Sequence, residues 1–391
     1  MAHRYTFGIE EEFFLTDPLS REIADHPPQA LFFACQAEFG DAVSHELLRS
    51  QIEVVSPVLE NTEQAISWVA HSRARMSAVT AEHGLALLAA GTHPMAQWRE
   101  QHASEKPRYE RLMDDFQIVA RRNLLCGLHV HVAPPPEKDR IRIMNQVMPW
   151  LPLLLALSAS SPFWARKRTG LMSYRQAIYD EWPRTGIPDF FENERGYRAF
   201  VELMIEAGSL ENESYLWWVV RPSMRYPTLE LRIADACPRA LDALCIAALF
   251  RAMVRSAAED SDMSAARNDM TRLLIEENRW RAKRFGIHAS FLHQKSRRNL
   301  AVGEWLNMAE ERFGSAAAEA DDGWAFAHAR AILVEGGSAD RQLNRYAQRR
   351  ASGASRTAAL RAVVDDLLRE TAEVPGLPSA ATAQRITAAV A

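Results

Sequence analysis

Four segments of this chain alternate apolar and polar residues with period two, and in each the polar positions carry groups capable of chemistry. The first runs from Tyr5 to Leu15 and contains Gly8-Ile9-Glu10-Glu11-Glu12. Such alternation specifies a strand, so Glu10 and Glu12 share one face while Phe7, Ile9 and Phe13 share the other. Glu11 falls on the apolar side, with no reason in the local pattern. In Gln51-Ile52-Glu53-Val54-Val55, Ile52 and Val54 point to a core and Gln51 and Glu53 away from it. Leu128-His129-Val130-His131-Val132 puts its aliphatics on one face and both histidines on the other. Thr228-Leu229-Glu230-Leu231-Arg232-Ile233 does the same with Thr228, Glu230 and Arg232. If these strands are neighbours, one sheet face is aliphatic and packs on helices. The opposite face gathers Glu10, Glu12, Glu53, His129, His131, Glu230 and Arg232. The fold class expected is α+β: a curved, mainly antiparallel β-sheet with helices on one face and an open funnel on the other.

Glu10 and Glu12 stand about 7 Å apart in a strand and repel one another unless a cation lies between them. Four carboxylates, two imidazoles and one guanidinium on one face are costly unless cations compensate them. Glutamate oxygens with an occasional imidazole fit magnesium or manganese better than zinc. Glu46, just before the second of these strands, is a further candidate ligand. His45-Glu46-Leu47-Leu48-Arg49 comes near a zincin motif, but Arg49 replaces its second histidine, which argues against metalloprotease chemistry. Magnesium held by carboxylates beside an arginine is what phosphoryl transfer requires. No G-x-x-x-x-G-K-[ST] loop, G-x-G-x-x-G turn or G-x-S-x-G elbow occurs. A nucleotide would therefore be held by metal ions and arginines on the sheet.

The 391 residues are read as a single catalytic unit, with a sheet-bearing core over 1–240 and a mainly helical part over 241–391. A formal net charge of −4, from 46 basic and 50 acidic residues, offers nothing to nucleic acid or an anionic membrane, so the expected partners are small molecules. Cys35, Cys126, Cys237 and Cys245 form no C-x-x-C pair and read as reduced, buried thiols. The charged, alternating N-terminal segment does not resemble a signal peptide, and a cytoplasmic location is expected. Asn145 to Ala165 carries no charge but contains Pro149, Pro152 and Pro162, which favours a buried helix over a membrane span.

A helix is predicted from Asn61, as cap, to Gly84, followed by a strand over Leu85–Ala90, a turn at Gly91-Thr92-His93-Pro94, a helix over Arg108–Arg122 and a strand over Leu124–Ala133. Trp164 to Asn193 reads as a long loop suited to covering a site. The last clear strand is Thr228–Ala234. The six arginines between Arg341 and Arg361 read as a solvated helix face, with ATP phosphates or a partner subunit as the other readings. Trp217-Trp218 reads as core or interface rather than a base-stacking platform.

The ordered set Gly8-Ile9-Glu10-Glu11-Glu12, Glu46 with Gln51-Ile52-Glu53, Gly91-Thr92-His93-Pro94, Gly127-Leu128-His129-Val130-His131, Arg221-Pro222-Ser223, Thr228-Leu229-Glu230-Leu231-Arg232, Asp235 and Glu277-Asn278-Arg279-Trp280 resembles the carboxylate–amine ligase family, short bacterial relatives of glutamate–cysteine ligase within the glutamine-synthetase-like superfamily. The resemblance implies ATP-dependent joining of a carboxylate to an amine through an acyl phosphate, with glutamate and cysteine as candidate substrates. By that analogy Glu10, Glu12, Glu46, Glu53, His129 and Glu230 hold magnesium ions that bridge the ATP phosphates. Arg232 meets the transferred phosphoryl group or the acceptor carboxylate. Arg232 and Glu53 are the implied catalytic residues, and Arg232 and Arg221 the implied ATP contacts, with Thr92 and His93 shaping the pocket. Such relatives suggest a homodimer. Two other readings stay open on the residues: a guanidino-group phosphotransferase on the same fold, and a metal- and nucleotide-binding regulatory protein with little turnover.

Overall fold

The alternating segments all become strands of one sheet. The computed structural model describes residues 3–260 and 269–373. Its seven-stranded sheet comprises β1 (Phe7–Thr16), β2 (Val43–His45), β3 (Gln51–Val55), β4 (Ala86–Leu88), β5 (Gly127–Val132), β6 (Val220–Pro222) and β7 (Leu229–Asp235). The strand order is β2-β3-β1-β5-β7-β6, with β4 also paired to β1, and every pairing is antiparallel.

Register, more than proximity, assembles the polar face, because directly opposed residues of antiparallel strands point the same way. Glu12 lies opposite Glu53, Glu10 opposite His129, His131 opposite Glu230, and Arg221 opposite Glu230. Between the pairs Leu128↔Ala234 and Val130↔Leu231, β7 carries one residue more than β5. This bulge sets Arg232-Ile233 against His129 and turns the strand where its arginine is needed.

The aliphatic face packs on helices. Ala240–Glu259 is buried over most of its length and contacts β5, β7 and the helices at Arg140–Val147, Leu151–Ser158, Val302–Ala318 and Trp324–Glu335. The uncharged segment begins in the last turn of the helix Arg140–Val147, passes through a short turn of 3-10 helix at Met148–Trp150 and forms the helix Leu151–Ser158. All eight residues of Leu151–Ser158 are buried in the protein's own core. Among the described residues no helix is long and apolar enough to cross a membrane. One hydrophobic cluster runs from Tyr5 to Leu367, and all four cysteines are free and buried.

The helix Thr62–Glu82 starts where the sequence places it, the Asn61 side chain accepting a hydrogen bond from the Gln64 N–H at 2.9 Å. It also explains Glu11. Arg73 lies on the same buried stripe as Val69 and Met76, and its guanidinium reaches Glu11 through Nη2 at 2.5 Å and Nε at 3.3 Å. The carboxylate on the apolar side is one half of a buried ion pair.

Three boundaries differ from expectation. The strands expected at Leu85–Ala90 and Leu124–Ala133 shrink to Ala86–Leu88 and Gly127–Val132. The helix expected over Arg108–Arg122 is two, Pro107–Phe116 and Ile118–Arg121, because Gln117 adopts φ 47° between them. The Trp164–Asn193 stretch is not a structureless loop, since it contains the helix Tyr174–Tyr179 and the second strand of a short hairpin, Phe163–Trp164 with Lys167–Arg168.

Candidate active site

Above the polar face lies an open cavity of about 780 Å³, and every residue predicted as metal ligand, catalytic group or ATP contact lines it: Glu10, Glu12, Glu46, Glu53, His129, Arg221, Glu230 and Arg232. His131 lines it too. Thr92 and His93 do not. Thr92 donates to the Phe163 carbonyl at 2.7 Å, and buried His93 accepts from the Met95 N–H at 3.2 Å, so both sit in the core beneath the site.

At the floor, His129 Nδ1 is 3.3 Å from Glu10 Oε2 and its Nε2 is 3.7 Å from Glu12 Oε1. That Nε2 is buried without a hydrogen-bond partner. His131 Nδ1 meets the Thr228 hydroxyl at 2.9 Å, and its Nε2 lies 3.1 Å from Glu10 Oε1. Glu12 accepts from the Gly127 N–H at 2.6 Å, and Glu53 from the Ser44 hydroxyl at 3.0 Å. Glu230 is held by two arginines: Arg221 grips both oxygens, at 2.7 and 3.2 Å, and Arg232 donates to Oε1. The remaining donors of Arg221 go to the carbonyls of Ser214 and Leu216, so its guanidinium is committed to fixing Glu230 and the neighbouring chain.

The charges are strongly unbalanced. Burial, then the negative charge of Glu12, pushes the Glu46 carboxyl up to about 8. Burial, then Glu46, Glu10 and Glu12, pushes Glu53 well above the usual carboxylate range. Burial works the same way on Glu10, but hydrogen bonds from His129 and His131 overcome it and hold Glu10 below its ordinary value. For Glu230 the burial cost is outweighed by Arg221 and Arg232, which hold it well below. Burial and then Arg232 lower His129, keeping the imidazole neutral, which is the form that ligates metals.

Two groups can each converge on one ion: Glu10, His129 and Glu230, and Glu12, Glu53 and His129, their ligand atoms lying within 4.8 Å of one another in each set. Glu46 belongs to neither set but faces the same cavity. The donors fit a hard divalent cation on the strength of this geometry. An unpartnered imidazole nitrogen lies 3.7 Å from a Glu12 carboxylate oxygen, and nearby Glu53 is raised by burial and by the neighbouring carboxylates, which a cation would relieve.

The Trp164–Asn193 stretch, expected to cover a site, supplies the cavity's second wall, but through residues that the sequence did not single out. Tyr179 accepts a hydrogen bond from Arg232 Nε at 3.2 Å, and buried Arg175 donates to the Arg232 carbonyl at 3.3 and 3.4 Å. Trp182 and Trp217 continue this wall. Trp218 instead joins a buried aromatic cluster with Phe191, Tyr197 and Phe200. A polar Ser-Tyr-Arg-Gln stretch opening a short helix, with two aromatics further on, was the only local signal. The arginines of Arg341–Arg361 lie away from this cavity. Arg341 pairs with Glu370 at 2.9 Å and Arg345 with Asp366 at 3.1 Å.

The same fold is found in solved ligases. The structure superposes on a glutamate–cysteine ligase from Francisella tularensis in complex with AMP with a TM-score of 0.70 at 11% identity, covering 99% of this chain and 92% of that one. On a bifunctional glutathione synthetase from Pasteurella multocida the TM-score is 0.70 at 14% identity, covering 94% of this chain and about half, 52%, of that one. At the level of sequence, the glutamate–cysteine ligase family 2 profile matches residues 6–366. A relative from Ectopseudomonas mendocina named "Putative glutamate--cysteine ligase 2" is 48% identical over 366 residues, 94% of this chain and 97% of that protein. The chain belongs to glutamate–cysteine ligase family 2.

Proposed function

We propose that this protein is an ATP- and magnesium-dependent carboxylate–amine ligase that forms a γ-glutamyl-type amide through an acyl phosphate, with manganese as an alternative ion. The observation that supports it best is the convergence of Glu10, Glu12, Glu53 and Glu230 on buried His129, whose Nε2 has no hydrogen-bond partner, with Arg232 beside them. Divalent ions, when bound there, supply neutralising charge for the triphosphate. Glu10, Glu12, Glu53, Glu230 and His129 would hold them, with Glu46 close by.

This chain's own residues do the rest. Arg232 is pinned through Nη1 by Glu230 and through Nε by Tyr179. Its guanidinium is thereby preset toward the cavity, where it would meet the γ-phosphoryl group in transfer. Arg221, locked onto Glu230, acts by positioning rather than by free contact. An oxygen of the substrate carboxylate attacks the γ-phosphorus, and the bond to the β-phosphate oxygen breaks, releasing ADP. The amine nitrogen then attacks the acyl carbon, the C–N bond forms, the C–O bond to phosphate breaks, and the ammonium proton leaves to a carboxylate or to solvent. Glu53, which lines the cavity, is the candidate proton acceptor in its ionised form. The working unit is the whole chain, in the cytoplasm, with two small amino-acid substrates and a homodimer as its expected assembly.

Incubation with ATP, magnesium, glutamate and cysteine should release ADP and phosphate in equal amounts. Hydroxylamine in place of the amine should trap the acyl phosphate as a hydroxamate. A stable phosphoguanidine formed without phosphate release would instead establish guanidino transfer. ATP binding with neither product across a broad panel of acids would leave a regulatory binder.

A further inference from the structure

None of the four residues Glu277-Asn278-Arg279-Trp280 lines the cavity, yet one of them is tied to the segment that holds Arg232. They lie on the helix Asp269–Phe285. Glu277 pairs with Arg281 at 2.7 Å and Trp280 is half exposed, whereas Asn278 and Arg279 are buried. Asn278 exchanges two hydrogen bonds with the backbone of Leu292, at 2.7 and 3.1 Å, which fastens the helix to the strand Ser290–His293. Arg279 reaches elsewhere. Its Nη1 and Nη2 both donate to Asp180 Oδ1 at 2.9 Å, Nη1 also donates to Gln176 Oε1 at 3.2 Å, and Nε donates to Glu276 at 2.9 Å. Lys283, one turn further on, donates to Asp180 Oδ2 at 2.7 Å.

Asp180 closes the helix Tyr174–Tyr179. The start of that helix is held by the same neighbour, because the N–H groups of Met172 and Ser173 both donate to the Lys283 carbonyl, at 2.8 and 3.0 Å. A helix of six residues has too few internal bonds to stand alone, so its place is set by whatever grips its ends.

What this helix carries is the support of Arg232. Tyr179 accepts from the Arg232 Nε, Arg175 donates to the Arg232 carbonyl, and Gln176 Nε2 donates to the Ile233 carbonyl at 2.8 Å. Both carbonyls belong to the bulge of β7. Gln176 joins the two ends of the relay directly, with its oxygen on Arg279 and its nitrogen on the bulge. A buried guanidinium outside the cavity is thus connected, through one short helix, to the guanidinium inside it. Arg279 and Lys283 face Asp180 and Glu276, two cations against two carboxylates, so the cluster has no surplus charge for a ligand and is built to hold.

Resting on the ligase reading, we infer that Arg279 is a positioning residue for phosphoryl transfer: through Asp180 and Gln176 it fixes the helix Tyr174–Tyr179 against the β7 bulge, and so fixes the line along which Arg232 meets the γ-phosphoryl group. Lysine at this position keeps the charge but offers one nitrogen where the guanidinium uses three, so it cannot serve Asp180, Gln176 and Glu276 together. The loss should fall on turnover, since substrate and metal are held by other residues.

The test follows hydroxamate formation with ATP, magnesium, hydroxylamine and glutamate, or another acid that the wild type turns over, in the wild type, Arg279→Lys, Arg232→Lys and the double variant. Active sites are counted by calorimetric titration with ATP. A displacement of about 1 Å at a reacting group costs up to roughly a hundredfold, so kcat per site in Arg279→Lys should fall about ten- to a hundredfold, while KM for the acid and Kd for ATP move less than about threefold. In the Arg232→Lys background the same change should cost less than about threefold, because a guanidinium can be misplaced only while it is present. A lower folded fraction would instead scale both backgrounds alike. Asp180→Asn, which weakens the other half of the latch, should reproduce the pattern, and it decides the matter if Arg279→Lys does not fold. Full kcat in Arg279→Lys, or losses that multiply in the double variant, overturns the inference while hydroxamate formation by the wild type leaves the ligase reading standing. A wild type that forms no hydroxamate with glutamate or with a panel of other carboxylic acids removes both.

Discussion

Replacing Arg73 by methionine is the sharpest structural test, because Glu11 and Arg73 are 5% and 1% exposed and have only each other and two carbonyls to satisfy them. Methionine keeps much of the apolar stem but deletes four hydrogen bonds: the two to Glu11, and those to the carbonyls of Cys237 at 2.8 Å and Pro238 at 2.5 Å. Removing one partner of a buried ion pair costs about 3–5 kcal/mol, because the other charge is left without compensation. Against a typical total of roughly 5–15 kcal/mol this is a large share. Urea denaturation followed by intrinsic fluorescence, with ten tryptophans as reporters, should show the midpoint falling sharply in Arg73→Met. The double variant Glu11→Gln/Arg73→Met should recover much of the loss, since no charge is then stranded. A midpoint for Arg73→Met within about 1 kcal/mol of the wild type would refute the buried pair, and with it the register that places Glu11 beneath the sheet.

Four further outcomes follow from the structure. Glu53→Gln should cut ligation by about a hundredfold or more and raise the magnesium concentration needed for half-maximal rate; unchanged magnesium dependence would exclude Glu53 as a ligand. Because Glu46 is pushed up to about 8 and Glu53 above the carboxylate range, magnesium must displace protons. Its affinity should therefore climb from pH 6 to pH 9, and calorimetry in two buffers of different ionisation enthalpy should detect proton release, with none detected refuting the assignment. The sign for stability is the reverse: folded-state values raised above the unfolded ones favour the metal-free fold below about pH 4.5 and lose that contribution as pH rises through about 8. Metal-free Tm should thus drop toward alkaline pH and be restored by magnesium. Finally, a Cβ on Gly91 would lie 2.6 Å from Asp235 Cγ, inside a buried knot in which Asp235 accepts from Ser160, Ser161 and Ser173. Gly91→Ala should cost about 1–3 kcal/mol by thermal denaturation, and a neutral result would show that the knot can open.

The ionic half of the site was legible because its code is local. Period-two alternation assigns Glu10, Glu12, Glu53, His129, His131, Glu230 and Arg232 to one face without knowledge of strand order, and antiparallel register then converges them. The aromatic half was not, because Arg175, Tyr179 and Trp182 sit on a short helix and the chain beyond it, between glycines and prolines, where no periodicity lasts long enough to read. Arg73 carried a visible cue, a cation on the apolar stripe of a helix, but its partner lies 62 residues away. The arginines at 341 and 345 read as solvated because Glu370 and Asp366 belong to a different helix. Thr92 and His93 look like pocket residues in a polar turn, yet the turn folds inward.

Glu11 lies between Glu10 and Glu12 in sequence but on the reverse side of the strand. An anchor at that point, fixed to a helix and to the chain after β7, leaves the backbone between its two neighbours no freedom to slide or untwist. The acid that never meets solvent thereby sets the spacing of the two that do. A lesion on the dry side of the sheet would be felt on the wet side as ligands out of step.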